Sequence, residues 1–363
     1  MLAVNNHKVT VYVGSYAGTD APNLYRFTFD SVSGALQVTE PIVGLENPSF
    51  FIHHPAGRYL YAAAGFHEGS IVAYRFDTTE GLIEINRQPV HGGLPCHLSI
   101  NPDGSALFVT NYRSGNVALL PIRENGALDI VSDVSLHSGS GPIPSRQEEP
   151  HPHAVVQHPA RPYAVVADLG IDRLIVYEAG PGQKSLKQVV DIALRSGMGP
   201  RHLSFHSTLQ ILYVIGELDS TVSVFSYSCD GLSFTEIQYI SALPSGYTGI
   251  NYCADIHVSP CGTFLYGSNR GHDSIAVFRI DPSNGTLSAP RHTHTGGKTP
   301  IAFALTPDGR FILVANKDSD SIVTLEVDPV TGELKMFSEL TGMVKPTCIW
   351  MSREDEHNEV GFC

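Results

Sequence analysis

Several features that would direct a functional reading are missing from this sequence. It has a single tryptophan, no C-x-x-C pair among six cysteines (Cys96, Cys229, Cys253, Cys261, Cys348 and Cys363), and no apolar run of bilayer-spanning length. Cysteines scattered in this way signal neither a zinc cluster nor a disulfide framework. Positive charge is scarce as well: 23 Lys and Arg against 36 Asp and Glu leave a net charge of −13. Such a field repels phosphate backbones and anionic membrane surfaces, so neither nucleic acid nor a membrane is an expected partner. The opening MLAVNNHKV has no basic flank before a long apolar stretch, and the expectation is a soluble, cytoplasmic protein. No G-x-S-x-G nucleophile elbow is present. GGKT (296–299) resembles the tail of a phosphate-binding loop, but the required first glycine is His292 and a strand follows instead of a helix.

What is present is a repeat. PSFFIHHPAGRYLYAAAG (48–65) returns as PCHLSINPDGSALFVTN (95–111), PHAVVQHPARPYAVVADLG (152–170), PRHLSFHSTLQILYVIGE (200–217), CADIHVSPCGTFLYGSNR (253–270) and PIAFALTPDGRFILVANK (300–317). Each copy reads as an apolar strand, a turn and a second apolar strand. The turn markers Pro55, Pro102, Pro159, Ser207, Pro260 and Pro307 lie 47, 57, 48, 53 and 47 residues apart, the period of propeller blades. Third strands follow, such as IVAYRFD (71–77) and SIVTLEV (321–327), and fourth strands open after glycine in GLIEI (81–85), GALDI (126–130), GLSFTEI (231–237) and GELKMF (332–337).

The ends supply one more blade. VYVGSY (11–16) matches a second strand and NLYRFTFD (23–30) a third, while PTCIWM (346–351) matches the missing first strand. Pairing them closes the ring without a free inner edge. The expected fold is therefore all-β: a single seven-bladed β-propeller over residues 1–363, with four-stranded antiparallel blades.

In an antiparallel hairpin the start of the first strand lies beside the end of the second. Residues at these two places on every blade should gather at one mouth of the central channel. Counting back six positions from each turn marker gives Ser49, Cys96, His153, Arg201, Ala254 and Ile301; counting forward ten gives Gly65, Tyr112, Leu169, Glu217, Arg270 and Lys317. One position inward, His97, His202 and Asp255 share a register, and Asn111, Asp168, Asn269 and Asn316 share another. A wet channel needs a polar lining of some kind, which suffices for residues such as Asp168 or Asn316. It accounts less well for Arg201, Arg270 and Lys317 on adjacent blades of an acidic protein, a local reversal of field suited to an anionic small molecule.

His151-x-His153 has the strand spacing of a metal claw. Pro152 between them breaks regular pairing, however, and the neighbouring registers offer arginine instead of carboxylate or thiolate, so no metal and no cofactor are expected. His292-x-His294 is expected at a turn beyond a strand.

PHPHAVV, GPRHLSF, ADIHVSPCGTFLYGSNRGHDSIAVF and TPDGRFILVANKDSDSI resemble the seven-bladed β-propeller lactonase family, which includes propeller-type 6-phosphogluconolactonases and the fungal carboxy-cis,cis-muconate cyclases. The likeness runs over nearly the whole chain; its specific parts are the PHPH and NRG segments, because PDGR turns are generic to propellers. It implies a site of His153, Arg201, Glu217 and Arg270, four positions already picked by register. One departure is visible, since relatives often end the hairpin of the second blade in Asn-Glu where this chain has Ala64-Gly65.

The implied activity is hydrolysis of a sugar lactone, 6-phosphogluconolactone to 6-phosphogluconate in the first instance. That chemistry needs a base to activate water, donors for the oxyanion and a clamp for the substrate's anionic group. Glu217 is the candidate base with His153 as second choice, Arg201 and Arg270 are the clamp, and His97, His151, His202, Asp255, Asn269 and Lys317 are further substrate contacts. The long connections 137–150 and 243–252 enter first strands at this mouth and are placed to cover it. Two alternatives stay open: a muconate-type cyclisation or ring opening, and a propeller that binds a small molecule or a protein without catalysis. Against the last stands the absence of a Gly-His…Trp-Asp blade signature.

Overall fold

Alternating β-branched and aromatic residues in each repeat copy form strands that bury one side chain after another between adjacent sheets. In the computed structural model, which describes residues 8–17, 21–42, 44–77 and 81–351, these strands make seven four-stranded sheets. All pairings within them are antiparallel. The sheets are the blades of a propeller, numbered here in chain order from the one that contains the first described residues.

Blade 1 closes the ring. Its innermost strand is the carboxyl-terminal Pro346–Met351, paired with Lys8–Ser15 in the register Tyr12 with Trp350 and Val13 with Ile349. The remaining blades each run from an inner strand outward in chain order, for example Pro200–Phe205, Ile211–Gly216, Thr221–Tyr227 and Phe234–Ser241 in blade 5.

The core is a series of layers between neighbouring blades. Tyr213, Ile215, Val222 and Val224 of blade 5 pack on Leu265, Ala276 and Phe278 of blade 6, all buried. The valine, leucine, isoleucine and phenylalanine side chains among them contribute about 1.5–3 kcal/mol each by leaving water. Tyrosines add polar ties across the same layers: Tyr61 Oη donates to the Gly126 carbonyl at 3.0 Å and Tyr213 Oη to the Gly285 carbonyl at 2.8 Å.

Two local expectations differ from the fold. The outer strand of blade 3 is Asp133–Leu136, and GALDI (126–130) makes only an isolated bridge between Ile122 and Leu128. The segment makes the two bonds of that bridge, Arg123 N to Ala127 O and Asp129 N to Pro121 O at 2.9 Å each, while the Leu128 amide (3.0 Å) and carbonyl (2.8 Å) turn to the Asn86 side chain of blade 2. His292 and His294 lie on the outer strand Arg291–His294 of blade 6, and not at a turn.

One irregularity recurs on the inner strands. The register slips by a residue between Pro95 and His97, Pro152 and Ala154, Pro200 and His202, Cys253 and Ile256, and Pro300 and Ala302. A bulge leaves one residue out of the ladder and re-aims its side chain. Cys96, His153, Arg201 and Ile301 are such residues, and all four line the central cavity.

Candidate active site

The bulges and the ends of the second strands meet at one end of the channel, as hairpin geometry requires. Pro200 pairs with Gly216, which sets Arg201 beside Glu217, and Tyr252 pairs with Arg270 on the next blade. A cavity of about 1140 Å³ runs from this mouth into the channel, bordered by Arg146, His153, Arg201, Glu217, Arg270 and Lys317.

Glu217 is the hub of the mouth. It is only 4% exposed, and three guanidinium groups converge on it. Arg270 Nη2 lies 2.7 Å from Oε2, Arg201 Nε lies 3.0 Å from the same oxygen, and Arg146 Nη2 bonds Oε1. The Arg201 contact is close enough for an ion pair without being aligned as a hydrogen bond. Burial alone would raise the Glu217 carboxyl, but the charges of Arg270, Arg201 and Arg146 outweigh it and hold its pKa at about 2. Burial and the neighbouring Arg270 pull Arg201 below its ordinary value, opposed by Glu217 and Asp255. Three guanidiniums against one carboxylate leave an excess of two positive charges here, in a chain whose net charge is −13.

Backbone carbonyls fix the arginines. Arg201 Nη1 donates to Ala254 O at 2.6 Å; Arg270 donates through Nε to Tyr252 O at 3.2 Å and through Nη2 to Cys253 O at 3.0 Å. Arg146 comes from the connection between blades 3 and 4. That connection is pinned by buried Gln147, whose Nε2 donates at 2.8 Å to both Leu169 O and Asp172 Oδ1. The Arg146 guanidinium also lies over the Tyr252 ring, 5.3 Å from its centroid. Both long connections therefore supply parts of the mouth. Arg146 itself was not singled out in the sequence, because it belongs to no repeat position.

Below the arginines lies a layer of imidazoles. His153 and His97 each stand 5.3 Å, centroid to centroid, from His202. His202 Nδ1 is 2.8 Å from Asp255 Oδ1, and His257 Nε2 is 3.1 Å from Asp255 Oδ2. Burial, then the charge of Arg201, pushes His153 well below its ordinary value, so its ring is neutral at physiological pH. Lys317 borders the cavity with its ammonium 5.7 Å from the Tyr16 ring centroid.

Two sequence candidates do not reach the cavity. His151 stacks behind Tyr112 with ring centroids 4.4 Å apart, and its Nδ1 is 2.9 Å from the Tyr112 carbonyl, so it supports the wall from outside. Its neighbour His153 turns inward because His153 alone occupies the bulge. Asn269 is fully buried and donates to Ala242 O at 2.9 Å, tying its strand to the connection that leaves the preceding blade. Asn111 and Asn316, in the same register, make the same kind of tie to Val90 O and Thr295 O. This register is structural. Gly65 leaves its side of the mouth bare: at φ +94 a Cβ would come within 2.4 Å of Glu68 O.

The family described as "Lactonase, 7-bladed beta-propeller" matches residues 10–351. The chain is 35% identical over 296 residues to the 6-phosphogluconolactonase of Bacillus subtilis, an alignment covering 80% of this chain and 83% of that protein. It is 32% identical over 306 residues to the 6-phosphogluconolactonase of Formosa agariphila, covering 81% and 86%. Among solved structures, the periplasmic gluconolactonase of Pseudomonas aeruginosa superposes with a TM-score of 0.88 at 30% identity, covering 95% of this chain and 99% of that one.

Proposed function

The chain belongs to the lactonase family of seven-bladed β-propellers, and on that premise we propose that the lactone it hydrolyses is an anionic sugar lactone, 6-phosphogluconolactone, opened to 6-phosphogluconate. The observation that carries this reading is the surplus of guanidinium charge around Glu217 in a strongly acidic protein. Such a site draws an anion and holds it by charge-assisted, paired donors. The names of the Bacillus and Formosa relatives support the same substrate.

In this reading Arg201, Arg270 and Arg146 bind the phosphate, and Glu217 is the post that holds them. A carboxylate held at a pKa of about 2 by three cations is a weak acceptor at neutral pH. A neutral imidazole of the layer below, from His153 or His202, is better matched to take a proton from the attacking water. Lys317 and the free guanidinium N–H groups are available to the oxyanion that forms on the lactone carbonyl. The unphosphorylated lactone is the second reading, favoured by the likeness to the Pseudomonas gluconolactonase.

The test is a substrate panel on purified protein: 6-phosphogluconolactone, glucono-lactone and muconolactone. The highest kcat/KM is expected with the first. Turnover of muconolactone alone would replace the proposed reaction with the cyclase-type one.

A further inference from the structure

Four imidazoles border the cavity, and the three that pack on one another beside the arginines, His97, His153 and His202, are not equivalent. The His97 Nδ1 accepts the Val155 amide at 3.4 Å, and its ring packs at a tilt against Phe50 at 4.0 Å between centroids, so it serves as a tie between blades. His153 has an Nδ1 without a hydrogen-bond partner among the described residues and no carboxylate against it. Of these three, only His202 has a carboxylate on a ring nitrogen, Asp255 Oδ1 at 2.8 Å; His257 meets the other oxygen of the same carboxylate.

Asp255 is itself built into the fold. It is 6% exposed, sits in the bulged segment of the blade 6 inner strand, and accepts the amides of Ile256 at 2.9 Å (Oδ1) and Phe303 at 3.1 Å (Oδ2). Against the effect of burial, the imidazoles of His257 and His202 hold its carboxyl well below the ordinary value, and the two amides donate to the same oxygens, so the proton of the shared contact belongs to His202 Nδ1. The remaining nitrogen, Nε2, then carries a lone pair on the cavity side.

We propose that His202 is the base of the lactonase reaction and that Asp255 is its positioning residue, fixing the tautomer with Nε2 bare and compensating the imidazolium when it forms. The proposal rests on the lactonase reading above. His202 Nε2 takes a proton from water, and the water oxygen bonds to the lactone carbonyl carbon. The tetrahedral oxyanion then collapses with cleavage of the bond to the ring oxygen, which takes the proton from the His202 imidazolium. The carboxylic acid so formed ionises, and one proton leaves with the product.

Every titratable group facing His202 bears on this role. His97 comes from blade 3, His153 from blade 4, Arg201 from its own strand, and Asp255 and His257 from blade 6. Burial and Arg201 disfavour the charged ring, and Asp255 is the group that opposes them. A proton on His153 meets Arg201 with no such compensation. His257 sits on the far oxygen of Asp255 with a 42% exposed side chain, close to the carboxylate without hydrogen-bond alignment.

The experiment compares His202→Asn, Asp255→Asn and His153→Asn with the wild type, reading kcat, KM and the pH dependence of kcat on the best lactone of the panel, with titration of the His202 ring followed by NMR in wild type and Asp255→Asn. His202→Asn is expected to lose roughly 10²–10⁴-fold in kcat with KM little changed, as for a positioned base. Asp255→Asn is expected to lose part of that factor and to move the acid limb of kcat, and the His202 titration midpoint, to lower pH, because removing the carboxylate makes the ring harder to protonate. If Asp255→Asn fails to fold for want of its backbone contacts, His202→Asn keeps the carboxylate in place and decides the matter. A kcat retained in His202→Asn and lost in His153→Asn would overturn the proposal, as would an unmoved His202 midpoint in Asp255→Asn. A wild type inactive on every lactone would instead overturn the reaction itself, while the NMR titration would still report whether Asp255 sets the basicity of His202.

Discussion

Arg146 and Glu217 stand 71 residues apart in the chain and form an ion pair across the mouth of the channel, one from a connection between blades and the other from the end of a strand. The pair couples the connection 137–150 to the hub of the arginine cluster.

Arg146→Ala removes one of three cations from Glu217 and one donor from the anion site. Its side chain is 30% exposed, so the fold should survive. The expected result is a raised KM for an anionic lactone, equivalent to about 1–3 kcal/mol of lost binding, with a smaller change in kcat. Michaelis parameters together with a thermal unfolding curve check it.

Glu217 also links acid stability to the site. Its carboxyl is held at about 2 against an ordinary value of 4.5. A depressed carboxylate contributes stability that is full above the ordinary value and is lost as pH falls through the folded value. The window is therefore pH 4.5 down to about 2, and the size of the effect is on the order of 3 kcal/mol. Glu217→Gln should be less stable than wild type at neutral pH, with the gap closing across that window. Denaturant unfolding at successive pH values measures the gap.

Closure of the ring gives a third expectation. Truncation before Pro346 strips the inner strand from blade 1, exposing Lys8–Ser15 along one edge and uncovering Val11 and Val13, which are buried at 0% exposure. Unpaired strand edges and exposed apolar surface both favour association. The truncated chain should unfold at markedly lower temperature or aggregate on expression; melting like the full chain would show that the closing strand contributes nothing.

Much of this architecture is legible in the repeat, because each copy carries its own turn chemistry and its own apolar alternation. Counting from Pro159 and Ser207 reached His153, Arg201 and Glu217 without a structure, since hairpin pairing ties strand ends to one mouth. The same counting put His153 and not His151 in the register of the mouth, but it could not tell Asp255 from Asn269. A one-residue bulge decides which side chain enters the channel, and bulges do not announce themselves in hydrophobic pattern. A local sign was nonetheless present: Cys96, His153, Arg201 and Ile301 each directly follow a proline that opens an inner strand. Arg146 had no sign at all, because its place depends on Gln147 anchoring a connection that repeats nowhere else. The outer strand of blade 3 was misplaced because the GALDI segment meets the third strand only at Leu128, and Asp133–Leu136 takes up the ladder after it.

The central claim is that guanidinium groups around Glu217 select an anionic lactone. It is tested most directly by kcat/KM for 6-phosphogluconolactone and for unphosphorylated glucono-lactone, measured on wild type, Arg201→Lys and Arg270→Lys at low and at raised salt. Lysine keeps the charge but loses the planar fork, so each substitution should cost the phosphorylated substrate about 1–3 kcal/mol and leave the neutral one nearly unchanged. Salt should act in the same selective way. Equal kcat/KM for the two lactones in wild type, unmoved by salt and by both substitutions, would contradict the account.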